Sequence, residues 1–304
     1  MTAGFPLCIC PVCAEVGRES SFLLAGGALR CGAGHTFDIA REGYVNLLPA
    51  SGSKDAVHGD LPVMLRSRRD FLNRGHYQFL AEALSGVCVD VLSPLSARSN
   101  SSALLDVGCG EGYYLNQLLH QIPLRFADRG ETFVNQQLPD LYGLDLAREA
   151  ARLAAKRNPQ LRITVGNTMV RLPFATGSMS MLLSLFAPRN PQEFGRVLAA
   201  DGTLVVVIPT PGHLHEIRQH VRLLPIEVDK ATHVVDQLGG VFELTDSHSI
   251  NTILQLEPVD VRLLIAMTPN AWFVPEDRLS AIDDIDVLPT QASFTLMQFR
   301  KVRR

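Results

Sequence analysis

Nowhere in these 304 residues do about 18 apolar side chains run together, so no membrane-spanning helix is expected. Cysteine is scarce: six in the whole chain are too few for a disulfide-stapled scaffold of this length. An excess of either charge is missing as well. Lys and Arg total 28 against 31 Asp and Glu, and the net −3 excludes a protein that coats nucleic acid non-specifically while leaving room for local basic patches. The opening MTAGFPLCIC has no charged stretch followed by an apolar core, so no export signal is expected, and the cytoplasm is the expected compartment. Internal repeats and low-complexity tracts are absent too. What remains, 46% hydrophobic and 19% charged residues, is an ordinary globular composition, enough for one sizeable α/β core plus a small extra module.

The few cysteines are not scattered. Three fall in CICPVC (8–13), and Cys10 and Cys13 have the C-x-x-C spacing of a zinc knuckle. Eighteen residues on comes Cys31, with His35 four positions later. Three thiolates and one imidazole in two such pairs make a closed tetrahedral set for structural Zn2+, with no position left for water. Gly32 and Gly34 allow the tight turn that aims the second pair. The site is expected to fold the module rather than to hydrolyse anything, so chelation should unfold the first 50 or so residues and leave the rest standing. Cys8 is expected as a surface thiol or a wall of the knuckle, and Cys88 and Cys109 as packing residues.

Further along, SGSKDAVHGD (51–60) and DVLSPLSARSNSS (90–102) read as flexible connections, with two helices between them broken near Gly75. From residue 103, strand and helix signals alternate, which implies βαβ units and a mainly parallel sheet. Strands are expected at 103–108, 141–146, 161–166, 180–187 and 202–209, and closing strands at 241–256 and 292–301. Helices are expected at 113–122, 147–157, 191–200 and around 258–267. The chain therefore divides into a zinc-binding module (1–50), a linker with capping helices (51–101) and an α/β domain (102–304).

LLDVGCGEGYY (104–114) is the chemical centre. Gly108, Gly110 and Gly112 follow a strand and precede a helix, so backbone can approach a ligand closely at a helix N-terminus. The spacing lacks the final x-x-G of the dinucleotide fingerprint. Asp106, two positions before the first glycine, repels pyrophosphate but suits the ammonium of a methionine group. The pattern resembles motif I of class I, Rossmann-like S-adenosylmethionine (SAM) methyltransferases. Asp145, closing the second strand, is then the expected partner of the ribose hydroxyls, and 123–140 is expected to be an inserted loop. Asn167, after the third strand, is a candidate adenine contact or a simple turn residue. After the fourth strand, Phe186-Ala187-Pro188 stands where nucleic-acid amino methyltransferases carry (N/D)-P-P-(Y/F), which disfavours an exocyclic amine as target. No cysteine sits there for covalent attack on a pyrimidine.

Together, CPVC, CGAGHTFDIAREGYVNLLP (31–49), RRDFLNRGHY (68–77), LLDVGCGEGYY, FAPRNP, IPTPGHLHEI (208–217) and AMTPNAW (266–272) resemble the zinc-containing 23S rRNA (guanine-N1)-methyltransferases, a family with macrolide-resistance members. FAPRN and HLHEI look more like its tylosin-resistance branch. The resemblance implies SAM contacts at Tyr77, Gly110, Glu111 and His213, with Tyr77 as a lid and Glu111 near the cofactor's polar end. It implies 1-methylguanosine in a hairpin loop of 23S rRNA domain II as product, and it leaves the oligomeric state open, a homodimer included. No residue is identified by spacing as the group that takes the N1 proton; His213, His215 and backbone or phosphate groups are the candidates. The zinc module and the arginines of 66–74 form the expected RNA-recognition half. Two other readings compete: a SAM methyltransferase acting on a small molecule or protein, and a zinc RNA-binding protein with an inactive methyltransferase domain. The intact Asp106, glycines and Asp145 argue against decay.

Overall fold

The computed structural model describes residues 4–48, 59–96, 102–130 and 138–302. A short helix, α1 (Pro11–Glu15), and three antiparallel strands, β1 (Phe22–Ala25), β2 (Ala28–Cys31) and β3 (Thr36–Asp38), form the N-terminal module. Then come β4 (Val45–Asn46), α2 (Pro62–Asn73), α3 (Gln78–Ser96), β5 (Ala103–Val107), α4 (Tyr113–Asp128), β6 (Asp140–Asp145), α5 (Arg148–Arg157), β7 (Arg162–Val165) and β8 (Met179–Leu185). The remainder is α6 (Pro191–Val197), β9 (Leu198–Pro209), α7 (His215–His220), α8 (Lys230–Leu238), β10 (Phe242–Leu256), α9 (Pro258–Ala266), α10 (Glu276–Leu279) and β11 (Leu288–Lys301).

The main sheet runs β10-β11-β9-β8-β5-β6-β7-β4. All pairs from β4 to β9 are parallel, while β11 lies antiparallel to β9 and to β10. The order reverses at β5, which is where open α/β sheets bind ligands. Every residue of β5 is buried, as expected of a strand covered on both faces. Its alternation divides the core. Leu104 faces α3, α4 and α5, whereas Ala103, Leu105 and Val107 face Phe194 and Val197 of α6 and Val234 and Leu238 of α8.

On that second face the N-terminal module also contributes. Phe5, Cys8, Leu29, Val45 and Leu47 share one apolar cluster with β5, β6, β8 and β9. The connection from β7 to β8 carries no helix where a crossover helix would be usual. Instead Cys8 bridges Phe174 in antiparallel register, Ile9 N–H donates to Pro173 O at 3.0 Å and Ala175 N–H to Leu7 O at 3.0 Å. The module thus covers the sheet in place of a helix, and β4 extends the sheet beyond β7.

Three local expectations need correction. Residues 90–96 continue α3 rather than forming a connection. Residues 123–128 of the supposed inserted loop continue α4 through Pro123; Phe126 is buried there, and Arg125 ties the turn to α3 through Ser85 Oγ at 2.5 Å and Glu82 O at 2.8 Å. Cys8 is neither a surface thiol nor part of the knuckle: it is fully buried between module and sheet, and burial pushes its thiol pKa well up. Residues 51–58 of the first connection, 97–101 of the second and 131–137 of the supposed inserted loop lie outside the described residues.

Candidate active site

At the module's end, local backbone geometry aims four ligands at one point. Cys10 caps α1, and Cys13 lies one turn along it. Cys31 ends β2, and its N–H donates to His35 O at 3.0 Å, closing the turn that contains Gly34 at φ +87°. Cys10, Cys13 and Cys31 Sγ stand 3.5, 3.5 and 3.4 Å from His35 Nδ1, and Cys13 and Cys31 Sγ are 3.8 Å apart. Tetrahedral zinc at ordinary bond lengths would hold its ligands about 3.8 Å (S to S) and about 3.6 Å (S to N) apart. All four ligand atoms lie within 4.8 Å of one another, so the set fits such an ion. Phe22 and Phe37, edge-to-face at 5.5 Å, pack against the thiols. Burial opposes the Cys31 thiolate, but the N–H groups of Ala33 and His35 and the neighbouring thiols outweigh it and lower its pKa to about 6.

At the carboxyl edge of the main sheet, the chain turns from β5 into α4 through Gly108, Gly110 and Gly112, at φ +80°, +55° and +80°. Side chains are also barred by space: a Cβ on Gly108 would meet the Ala187 Cβ at 2.6 Å, and one on Gly112 the Ala154 Cβ at 2.9 Å. Leu144 O fixes the entry to the turn, accepting from the N–H of Gly108 at 2.7 Å and of Cys109 at 3.0 Å. Asp145 accepts from Gly110 N–H at 2.9 Å and from Ala147 N–H at 2.8 Å. Each of its oxygens keeps a lone pair for another donor. Asp106 stands at the floor, 1% exposed, and its Oδ1 has no partner. Burial first, and Asp145 second, push its pKa up to about 7. A buried carboxylate with an orphan oxygen fits an incoming ammonium, and Asp145 fits a diol.

Glu111 is in the loop as expected, but one of its oxygens is committed. Arg157, at the end of α5, makes a tight ion pair with Oε2, while Oε1 is buried without a partner. Burial raises the Glu111 pKa against the pull of Arg157. Asn167 Oδ1 accepts from Met169 N–H at 2.9 Å, which closes an Asx turn.

Tyr77 and His213 meet in a wall of aromatic rings rather than in a lid. Tyr77 is buried edge-on against Phe71 at 5.1 Å and Phe294 at 5.2 Å, and its hydroxyl lies 3.5 Å from His213 Nε2. His213 Nδ1 accepts from Ser293 N–H at 3.2 Å, so the ring proton sits on Nε2 and faces Tyr77. Burial, aided by the Arg218 charge, lowers its pKa to about 3. His213 is therefore a neutral donor, and its expected candidacy as the base for the N1 proton falls away. His215 is exposed and pairs with Gln219 at 3.1 Å. The wall continues through Phe294 to Phe186, at 5.2 Å. Phe186 leaves β8 at φ +57°, a strained setting for an aromatic residue, and its side chain is 46% exposed.

The arginines of 66–74 are not one basic face. Arg74 pairs with Asp260 at 3.1 Å, Arg69 with Asp70 at 3.3 Å and Arg68 with Asp60 at 2.5 Å. Sequence reasoning missed Arg157, Phe186 and Ser293 as parts of the site. Only the Phe186-Ala187-Pro188 motif position held a local signal.

A glycine turn at the switch point, a strand-terminal acid on the next strand and a reversed last strand define a class I SAM-dependent methyltransferase, here with a zinc-ribbon-like module in front. The family model for the RlmA N-terminal zinc ribbon matches residues 8–54. A Micromonospora griseorubida protein bearing a 23S rRNA (guanine-N1)-methyltransferase name is 35% identical over 90% of this chain and 89% of its own. The 23S rRNA (guanine(748)-N1)-methyltransferase of Streptomyces fradiae is 33% identical over 89% of this chain and 88% of its own. The crystal structure of Bacillus subtilis YcgJ is similar at 14% identity and TM-score 0.46, over 72% of this chain and 98% of that one. The chain belongs to the 23S rRNA (guanine-N1)-methyltransferase family.

Proposed function

We propose that this chain transfers a methyl group from SAM to N1 of a guanine in a hairpin loop of 23S rRNA domain II, in the cytoplasm. The observation that carries this is the span of the likeness to relatives named for that reaction. It covers 90% of the chain in the first of them, and the family model for the N-terminal zinc ribbon spans the four zinc ligands. Residues 1–50 form the zinc-dependent RNA-recognition module, 51–101 cap the cofactor, and 102–304 carry the transfer.

SAM, when bound, supplies a methyl group already activated on sulfur, so the protein's task is alignment. Asp106 takes the ammonium, and Asp145 accepts from the ribose hydroxyls. Gly108 and Gly110 let the backbone approach, and Glu111 anchors the loop through Arg157. Asn167 would border the adenine, while Tyr77 and His213 would form an uncharged wall. Cys10, Cys13, Cys31 and His35 hold zinc as a structural ion. Guanine N1 lies on the Watson–Crick edge, so the base must be unpaired and presented to the cleft. Phe186 offers it an exposed ring face at the carboxyl edge of β8.

Incubation of unmodified 23S rRNA, or the isolated hairpin, with enzyme and SAM should yield 1-methylguanosine on nucleoside digestion and a reverse-transcriptase stop one nucleotide before the target. Methyl groups found only on cytosine, on an exocyclic amine or in protein would refute the reading. Product outside the hairpin would keep the chemistry and discard the target.

A further inference from the structure

Arg68, on α2, stands beside the glycine turn. Its Nη1 is 3.4 Å from where a Cβ on Gly110 would lie, and apart from the two chain neighbours of Gly110 no other described side chain comes so near that point of the glycine turn. The guanidinium is held in a fork. Nη1 pairs with Asp60 Oδ2 at 2.5 Å, and Nη2 donates to Met267 O, at the end of α9, at 3.0 Å. The Asp60 strand of the chain is itself pressed onto the site: a Cβ on Gly59 would meet the Ala147 Cβ at 2.8 Å, two residues beyond Asp145. Arg68 and Asp60 side chains are only 27% and 34% exposed, so the pair overlies the glycine turn rather than waving in solvent.

The charges around this turn are unbalanced in a specific way. Asp106 presents a buried carboxyl oxygen with no partner, which a cation would satisfy. The methionine end of SAM is a zwitterion, so a cation for its carboxylate is needed within a few ångströms of the ammonium. Of the other guanidiniums whose charge reaches the loop, Arg157 is taken up by buried Glu111 and Arg69 pairs with Asp70 at 3.3 Å. Arg68 is free to exchange, because Asp60 is a partly solvated partner that can return to water at little cost, and a fork-shaped guanidinium receives a carboxylate with two parallel hydrogen bonds.

We propose that Arg68 is a cofactor-binding residue that exchanges Asp60 for the carboxylate of the methionine group of SAM, with Met267 O holding its orientation. This rests on the SAM reading above. The exchange makes Asp60–Arg68 a strap across the cleft, which loosens from its own acid as the cofactor enters.

Titration calorimetry with SAM and with 5′-methylthioadenosine, which lacks the amino acid, separates the possibilities. Arg68→Ala should weaken SAM by about 10- to 100-fold, as for lost hydrogen bonds to a charged group, and leave methylthioadenosine unchanged. Arg68→Lys should recover part of the loss, and Asp60→Asn should tighten SAM alone by removing the competitor. Equal losses for both ligands in Arg68→Ala, or no loss for SAM, overturn the role of Arg68 while the cofactor reading stands. Failure of the unaltered protein to bind either ligand overturns both.

Discussion

Asp106 makes cofactor affinity a function of pH in a direction fixed by its surroundings. In the free chain its carboxyl is buried, one oxygen has no partner, and burial with the Asp145 charge raises its pKa to about 7. At about 1.4 kcal/mol per pH unit, keeping it ionised above pH 7 costs the free chain about 4 kcal/mol, a cost that a bound ammonium offsets. Pairing with the ammonium pulls the pKa back down, so binding at pH 6 must expel a proton and binding at pH 8 need not. A site that is about nine-tenths protonated at pH 6 and about one-tenth protonated at pH 8 should bind SAM roughly tenfold more weakly at pH 6. Calorimetry in two buffers of different ionisation enthalpy should register about one proton released at pH 6 and almost none at pH 8. Asp145 and Glu111 are also raised by burial, so the control is Asp106→Asn, which should bind weakly with a flattened pH profile. An unaltered protein with flat affinity and no proton release between pH 6 and 8 would refute the assignment of the ammonium to Asp106.

Cys10→Ser should lose zinc by elemental analysis, whereas Cys8→Ser should keep it and lose stability, because Cys8 packs in the core shared by module and sheet. Because that core is shared, chelation should lower the melting temperature of the whole chain, and not, as the sequence alone suggests, unfold the first 50 or so residues and leave the rest standing. A separate early transition confined to the module would contradict the shared core. Phe186→Gly should relieve the left-handed backbone but lose the ring contact with Phe294, leaving stability changed by less than about 1 kcal/mol, yet lower the rate of RNA methylation with SAM affinity kept. Arg157→Met should destabilise by about 3–5 kcal/mol in denaturant unfolding, since it strands the buried Glu111 carboxylate; a loss under 1 kcal/mol would mean that the pair is not closed in solution.

The parallel sheet was legible because buried strands are short apolar runs. LLDV, LYGLD and TLVVVIP each stand between punctuating turns, and the helices between them keep their own period. The cluster of Cys10, Cys13, Cys31 and His35 was legible because spacing alone fixes it. Tertiary anchoring hid the rest. Pro123 reads as a breaker, since it removes a helical N–H, yet α4 continues because Phe126 and Arg125 have partners on α3. Ionic partners were equally hidden: Glu111 meets Arg157, 46 residues away, and nothing near either residue in the chain announces the pair. The Asp60 partner of Arg68 was hidden for the same reason. A run of arginines looks like a basic patch until the acids that face it are placed. His213 carried no local signal of its neutral state, which follows from Ser293, 80 residues distant.

The module's attachment bears on how one guanine is chosen among many. Its sheet cannot bury a core alone: β1 has no fully buried residue, and Leu23 is 78% exposed. Its stability must come from the metal and from docking, and the docking is extensive. Arg162 of β7 donates to Gly4 O at 2.8 Å. Glu19 meets Arg171 at 3.0 Å, Arg196 at 3.3 Å and the Thr176 hydroxyl at 2.5 Å. β4 pairs in parallel register with the β7 strand that leads to Asn167. A module on a flexible tether would sample many offsets between a recognised RNA feature and the cleft, and the bound methyl group would then meet whichever unpaired guanine arrived. A module joined to the sheet by backbone hydrogen bonds and a shared apolar core fixes that offset. On the proposed division of labour, the zinc ion therefore acts on specificity through rigidity: it holds Cys10 and Cys31 together, these hold the strands that carry Leu29 and lead to Val45, and β4 sets the module against the edge of the sheet that ends at the cofactor.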